Sequence, residues 1–260
     1  MIILNILIVG DIFSKLGRST FERNIKKLQT EKKINFIIVN GENISHGKGM
    51  NEKHYKWLMS FGVNVITLGN HSYHNKQIYD FIDNVKNVVR PANYPEESAG
   101  KGYVTINYNG IKITVIQVIG QVFMGEGNSS PFKKVEEILE NTDSDIYICD
   151  FHGEATSEKI AFGHYFDGKI NIIFGTHTHV PTNDARILPK GSAYITDVGM
   201  TGPLDGVIGV KKEIIFNRLM SNDKARFEPE DNGTAQFNGI LVELGTDFKA
   251  RKVEKINIIE

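Results

Sequence analysis

Apolar runs of strand length recur along the chain, and most of them are continuous. They occupy residues 2–9, 36–39, 63–68, 111–119, 145–151 and 170–174. Continuous apolar runs are typical of strands that are covered on both faces. Helical patterns separate several of these runs, and they predict helices at 17–32, 52–61, 78–85 and 131–139 and from Thr156 or Ser157 to about 166. Asn51 is predicted as the N-cap of the second helix, Pro131 suits the first position of the fourth, and Thr156 or Ser157 could cap the fifth.

The alternation of strand and helix over the first 175 residues predicts an α/β fold with a mostly parallel sheet. The last third differs, because its patterns predict strands at 193–198, 236–244 and 248–258 and one helix at 211–220. The alternation of apolar and polar residues over 252–259 is typical of an edge strand. We therefore expect a single domain over residues 1–260, with a second sheet packed on the first.

Composition narrows the classes of function. Hydrophobic residues make up 40% of the 260 residues, which is enough for a substantial core. The net charge of -1 argues against a broad basic face for duplex nucleic acid. Cys149 is the one cysteine, so the chain can form neither an internal disulfide nor a thiolate metal cluster. The apolar start lacks a basic segment and is too short to span a bilayer, so we expect a cytoplasmic protein with no membrane partner.

Polar residues of the kind that bind metals follow five of the apolar runs. In open α/β sheets, sites form beyond the carboxyl ends of the strands, so these residues should meet at one edge of the sheet. Each has an ordinary explanation when taken alone, such as a turn cap or a hydrogen-bonded core histidine. Five strand ends that carry such residues at the same edge of the sheet favour a metal site. The seven candidate ligands are Asp11, Glu42, Asn43, Asn70, His152, His177 and His179.

The chemistry of these seven side chains indicates the metal class. Carboxylate, amide and imidazole groups without thiolates suit Mn, Fe, Zn, Co or Mg. One ion rarely needs seven ligands, whereas two ions that share a carboxylate would use them all. The segment GTHTHVP at 175–181 carries two of the eight histidines of the chain.

The succession of Gly-Asp, Gly-Asn-His, an isolated His and Gly-x-His-x-His resembles the pattern of binuclear metallophosphoesterases. The chain is most similar to the bacterial YmdB-type phosphodiesterases, which are described as acting on 2′,3′-cyclic nucleotides. The resemblance is carried by NGEN (40–43), DFHGEATSEK (150–159), GTHTHVPTNDARILPKGSAYITDVGMTGP (175–203) and ARFEP (225–229). It implies an α/β fold in which a β-sandwich is flanked by helices in four α/β/β/α layers.

The resemblance also implies two metal ions per chain, with Fe or Mn ahead of Zn or Mg. One ion would be held by Asp11, Glu42, Asn43 and His179, and the other by Glu42, Asn70, His152 and His177. Glu42 would bridge them, since a carboxylate has two oxygens. A hydroxide that bridges both ions would attack phosphorus in line, and His71 would donate a proton to the leaving oxygen.

The sequence departs from the wider family at two places. Phe13 stands where the superfamily has the histidine of Asp-x-His, and Asn43 would take over that ligand role. Ser72-Tyr73-His74 replaces the usual Thr-Trp-Asp, and we expect His74 to be a solvated loop residue.

The ligands do not define the ester, so a phosphomonoesterase on the same metal pair is an alternative. A regulatory protein that senses phosphate or RNA ends with little turnover is another. The expected partners are a phosphodiester small molecule or an RNA end, and the family resemblance implies a homo-oligomer. Asp197 could orient a metal-binding histidine, whereas Arg186 could bind phosphate or form a structural salt bridge.

Overall fold

The computed structural model describes residues 3–125, 128–221 and 225–260. Its strands are β1 Leu4–Val9, β2 Asp11–Ile12, β3 Phe36–Asn40, β4 Val65–Thr67, β5 Val88–Val89, β6 Tyr103–Tyr108, β7 Ile111–Ile119, β8 Ile146–His152, β9 Ile172–Thr176, β10 Arg186–Ile187, β11 Ala193–Ile195, β12 Met200–Pro203, β13 Ala235–Leu244 and β14 Ala250–Ile259. Its α-helices are α1 Ser14–Glu31, α2 Glu52–Ser60, α3 Pro131–Asn141, α4 Thr156–Tyr165 and α5 Lys212–Ser221.

The strands form two mixed sheets. In the first sheet, β1, β3, β4 and β5 run parallel, and β13 lies antiparallel to β1 with β14 beyond it. β12 pairs with both β13 and the short β2. The second sheet has the order β10-β11-β9-β8-β7-β6, with a parallel centre and antiparallel strands at both edges.

Three apolar clusters define the layers. The first joins buried residues of both sheets, such as Ile6 and Ile38 of the first and Val115 and Ile148 of the second. A second cluster packs α1 and α2 on the outer face of the first sheet, and a third packs α3 and α4 on the second sheet. The layers are therefore helix, sheet, sheet and helix, and the predicted α/β sandwich is the observed one.

One feature of the predicted topology is wrong. The parallel strands do not belong to one sheet, because the chain leaves the first sheet after β5 and starts the second at β6. The last third also does not build the second sheet by itself, since β13 and β14 extend the first. Buried strands carry the same continuous apolar pattern in either sheet, so the sequence holds no local signal of the crossing.

Several local predictions are confirmed and others are corrected. The Asn51 side chain accepts the His54 N–H at the start of α2, and Pro131 begins α3. The predicted helix at 78–85 is two 3-10 helices, Lys76–Asp80 and Ile82–Asn84. Ala155 precedes α4 and provides no side-chain cap. The start of the first predicted strand, at position 2, lies outside the described residues.

Five strands were not predicted: β2, β5, β6, β10 and β12. Four of them have two to four residues, too short for a periodic pattern. The helices of the described residues include none that is long and apolar enough to cross a membrane.

Candidate metal centre

The seven candidate ligands converge, but they come from both sheets. The four oxygen-bearing side chains lie on the first sheet, where Asp11 starts β2, Glu42 and Asn43 follow β3, and Asn70 follows β4. The three imidazoles lie on the second sheet, at the end of β8 and just after β9. The expectation of one shared sheet edge is therefore corrected: the site lies where the carboxyl ends of two sheets meet.

One subset of ligand atoms surrounds the Nε2 atom of His152. This atom lies 2.8 Å from Asn70 Oδ1 and 3.4 Å from Glu42 Oε1. The Nδ1 atom of His177 lies 3.1 Å from it. One potential ligand atom from each of Glu42, His152 and His177 falls within 4.8 Å of the others. This spacing suits a single cation bound by carboxylate, amide and imidazole groups.

A second subset lies beside the first. The Nε2 atom of His179 is 2.8 Å from the Asn43 side-chain amide and 3.9 Å from Asp11 Oδ1. Asp11 is fully buried, and its Oδ1 atom has no hydrogen-bond partner among the described residues. A buried acceptor without a partner is costly unless a cation or another donor satisfies it. The residues of this subset therefore fit a metal ion.

Burial and mutual repulsion shift the pKa values of the site groups. Burial raises the pKa of Asp11 well above its usual range, and the neighbouring Glu42 raises it further. Burial lowers the pKa of His152, His177 and His179. These imidazoles are therefore neutral at neutral pH, which is the form that binds metals. A cation between the carboxylates would remove the repulsion that raises the pKa of Asp11.

Hydrogen bonds on the far side of two imidazoles fix their tautomers. The Thr176 hydroxyl donates to Asp150 over 2.7 Å, so it accepts from His152 Nδ1 over 2.8 Å. The Nδ1 atom of His179 donates to the Ile208 carbonyl oxygen over 2.8 Å. Both Nε2 atoms therefore keep a lone pair that faces the candidate ligand atoms. Burial raises the pKa of Asp150 to about 7 in spite of its hydrogen bonds.

The loop after β9 has an uncommon backbone. His177 and His179 have φ values of 98° and 65°, in the left-handed region that few non-glycine residues adopt. Such a conformation persists only where neighbouring groups hold it. Asp197 accepts the Thr178 N–H over 3.2 Å, and the buried Lys159 ammonium donates to the Thr176 carbonyl oxygen over 2.8 Å.

Glycine is required beside this site for reasons of space. A Cβ atom on Gly69 would lie 2.4 Å from Glu42 Oε2 and 2.4 Å from His152 Cε1. A Cβ on Gly175 would lie 1.8 Å from the Thr196 carbonyl oxygen. Side chains at either position would displace the candidate ligands or the strand that carries them. This explains why glycines accompany the polar residues at the strand ends.

His71 lies at the edge of the site. Its backbone N–H donates to Glu42 Oε2 over 2.9 Å, and its Nδ1 atom is 2.7 Å from Asn43 Oδ1. Its side chain is 21% exposed and faces a cleft of about 800 Å³. His74 is exposed as expected, but its ring packs edge-on against that of His71, with centroids 4.7 Å apart.

The structure also locates Asp197 and Arg186, two residues whose roles the sequence left open. Asp197 pairs with Lys159 and holds the histidine loop through its backbone. Arg186 lies on β10, and its guanidinium is 5.9 Å from the Tyr194 ring centroid.

Sequence reasoning missed three supporting residues: Asp150, Lys159 and Thr176. Lys159 had a signal, because it shares the buried face of α4 with Phe162 and Gly163 at helical spacing. A lysine on an apolar helix face indicates a buried ionic partner. Asp150 likewise interrupts an apolar strand.

Comparisons with known proteins agree with this architecture. A family model described as "YmdB-like protein" matches residues 7–256. The chain is 45% identical over 258 residues to the 2′,3′-cyclic-nucleotide 2′-phosphodiesterase of Bacillus subtilis (strain 168), covering 98% of this chain and 97% of that protein. A crystal structure of a phosphatase from Mycoplasma pneumoniae superposes with a TM-score of 0.95 at 40% identity, covering 100% of this chain and 95% of that one.

The crystal structure of a hypothetical protein from Thermus thermophilus superposes with a TM-score of 0.93 at 33% identity, covering 99% of this chain and 100% of that one. The resemblance noted in the sequence is thus confirmed over nearly the whole chain. The chain belongs to the YmdB-like protein family.

Proposed function

We propose that this protein is a metal-dependent phosphodiesterase that opens 2′,3′-cyclic phosphates of nucleotides or RNA ends. The observation that carries the proposal is the division of the ligand-type side chains into two subsets beside one buried carboxylate, Glu42. Glu42 Oε1 is 3.4 Å from His152 Nε2 in one subset, and its charge raises the pKa of Asp11 in the other. The activity named for the Bacillus subtilis relative supports the choice of ester.

The proposed ligand sets follow the two subsets. Asp11, Asn43 and His179 would hold one ion, and Asn70, His152 and His177 would hold the other, with Glu42 shared. Fe or Mn is the proposed metal, ahead of Zn or Mg. Two bound cations supply charge that stabilises the phosphoryl oxygens and a hydroxide nucleophile at neutral pH.

We assign His71 the role of proton donor. Asn43 Oδ1 holds the ring through Nδ1, and the ring edge that remains exposed faces the cleft. When water attacks phosphorus, its oxygen forms a new P–O bond, one of its protons passes to solvent, and the bond from phosphorus to the ribose O2′ breaks. His71 gives its proton to O2′, so the product carries a 3′-phosphate and a free 2′-hydroxyl. The choice of O2′ follows the name of the Bacillus subtilis relative.

A side-by-side assay tests the proposal. With Mn²⁺ or Fe²⁺ added, we expect kcat/KM for 2′,3′-cyclic AMP to exceed that for 3′,5′-cyclic AMP and for a nucleoside 3′-monophosphate. Faster hydrolysis of the monoester would replace the proposal with a phosphomonoesterase. Tight binding of the cyclic nucleotide without turnover would favour a sensor of phosphate or RNA ends.

The localisation, the oligomeric state and the domain organisation are also proposals. We infer a cytoplasmic homo-oligomer with one domain over residues 1–260. The single free cysteine, Cys149, is consistent with a reducing compartment. The core cluster that joins both sheets supports the single domain.

A further inference from the structure

The cleft in front of His71 is larger and more basic than the reacting phosphate requires. Its volume is about 800 Å³, and it reaches from Asn43, His71 and His179 to residues 225–229. Four cationic side chains line it: Lys48, Lys76, Arg218 and Arg226. The lining, as far as the described residues define it, contains no aspartate or glutamate.

These cations contrast with the charge of the whole chain. The chain as a whole has a net charge of -1, with 30 basic and 31 acidic residues. A wall of one charge sign inside a neutral protein indicates a ligand of the opposite sign, since such clefts concentrate counter-charges. The ligand chemistry is therefore polyanionic.

A cyclic mononucleotide does not supply that charge. Its one negative charge lies on the cyclic phosphate, which the proposed metal ions and His71 would bind. Each further nucleotide on the 5′ side adds one phosphodiester charge, and a chain of them can extend along the cleft. Basic grooves beside a reaction site are a common way to hold single strands.

Neighbouring rings hold some of these cations in the cleft wall. The Arg218 guanidinium lies 4.2 Å from the Phe227 ring centroid, and Lys48 Nζ lies 5.9 Å from the same centroid. Lys76 Nζ lies 5.6 Å from the Tyr79 ring centroid. Cation–π contacts restrict where these three charges can move.

We propose that this cleft binds the phosphodiester backbone of a short RNA upstream of its terminal 2′,3′-cyclic phosphate. The inference rests on the proposed function and deepens it, because it makes an oligonucleotide end a better substrate than the free cyclic mononucleotide. Lys48 and Lys76 are the proposed binding residues, and Arg218 and Arg226 complete the cationic lining.

The test compares two substrates that share the same reacting group. kcat/KM is measured for 2′,3′-cyclic AMP and for a tetra-adenylate that ends in a 2′,3′-cyclic phosphate, between 50 and 200 mM salt. We expect the tetranucleotide to be preferred by on the order of ten-fold at the lower salt. In the K48Q/K76Q double variant, this ratio should fall toward one, and the salt slope for the tetranucleotide should decrease by about 0.7 per lysine removed. The control is K27Q/K112Q, which removes two exposed lysines outside the cleft and should keep the ratio.

Binding gives a second readout that does not depend on turnover. Calorimetry with the tetra-adenylate 3′-phosphate and with adenosine 3′-monophosphate should show the same preference and the same loss in K48Q/K76Q. Equal affinities, equal kcat/KM values or an unchanged ratio in the double variant would overturn the inference. Absence of turnover on both substrates would overturn the proposed function alone, since the binding preference would still decide the role of the cleft.

Discussion

The ammonium of Lys159 lies 2.7 Å from Asp197 Oδ2, and both side chains are 1% exposed. Lys159 also donates to the Thr176 carbonyl oxygen, and Asp197 accepts the N–H groups of Thr178 and Gly199. One buried ion pair thus holds both sides of the loop that carries His177 and His179. Because the pair is buried, it cannot contact substrate, so we regard Lys159 and Asp197 as positioning residues.

Breaking this pair should destabilise the protein and weaken metal binding. Lys159→Met leaves the Asp197 carboxylate buried without its cation, which costs about 3–5 kcal/mol of unfolding free energy. The double variant Lys159→Met/Asp197→Leu should recover part of that stability in urea unfolding, because no lone charge remains but the Thr178 and Gly199 N–H groups lose their acceptor. It should not recover metal content, since the Thr178 N–H has lost its acceptor. Wild-type metal content in the double variant would refute the positioning role.

The metal centre should respond differently to changes at neighbouring ligands. Asn43→Ala removes a ligand of one proposed ion, so elemental analysis should give about one metal per chain instead of two. Glu42→Gln keeps the side-chain shape but removes the charge that both ions share, and it should lose both. Glu52→Gln is the matched control, because Glu52 is an exposed residue of α2 that pairs with Lys56 over 2.8 Å, away from the ligand set. Equal metal content in all three variants would exclude this centre.

His71→Ala should separate proton donation from charge stabilisation. Loss of a general acid lowers the rate on a cyclic nucleotide by on the order of 10²–10⁴-fold, because a ribose oxygen is a poor leaving group. On bis-(p-nitrophenyl) phosphate the loss should be much smaller, since nitrophenolate leaves without a proton. Equal losses on both substrates would indicate stabilisation of the phosphoryl oxygens instead. Loss of metal would show that His71 supports a ligand.

Stability should decrease below neutral pH in part through His54. Burial lowers the pKa of His54 to about 4 from its ordinary value of 6.5, and the charge of Arg18 adds to this shift. The unfolded chain then binds the proton more strongly than the folded chain, so the stability is complete above pH 6.5 and decreases as the pH falls toward 4.

His54→Gln should reduce the difference in unfolding free energy between pH 7 and pH 5 by about 1 kcal/mol, discounted for the half-exposed ring. That corresponds to about 2–4 °C in the melting temperature difference. Thermal unfolding of both proteins at the two pH values measures it. An identical pH dependence in the variant would contradict the shifted pKa.

The strand ends of the site could be predicted from sequence because apolar runs and the polar residues that follow them are local signals. Asp11, Asn70 and His152 each come directly after or at the end of such a run. The division of the strands between two sheets was not predictable in the same way. The apolar run of β7 in the second sheet has the same character as that of β1 in the first, and nothing local distinguishes them.

The conformation of the loop that carries His177 and His179 also could not be predicted from the local sequence pattern. His177 and His179 adopt positive φ values because Lys159 and Asp197, which are distant in sequence, hold the backbone there. Propensity would have placed glycine or asparagine at such positions. Tertiary contacts override that preference and hold an unfavourable backbone conformation that places the two histidine side chains.

The separation of ligand types between the sheets has a consequence for how the protein matures. A chain with only its first sheet formed offers oxygen ligands without the three imidazoles, and one with only its second sheet offers imidazoles without the carboxylates. β2, which begins with Asp11, pairs with Met200 and Thr201 of β12, and β1 pairs with β13 near the end of the chain. We therefore expect the ligand set to be completed only after β12 and β13 have joined the first sheet. Accordingly, we expect the proposed metal ions to bind late, after both halves of the sandwich have docked.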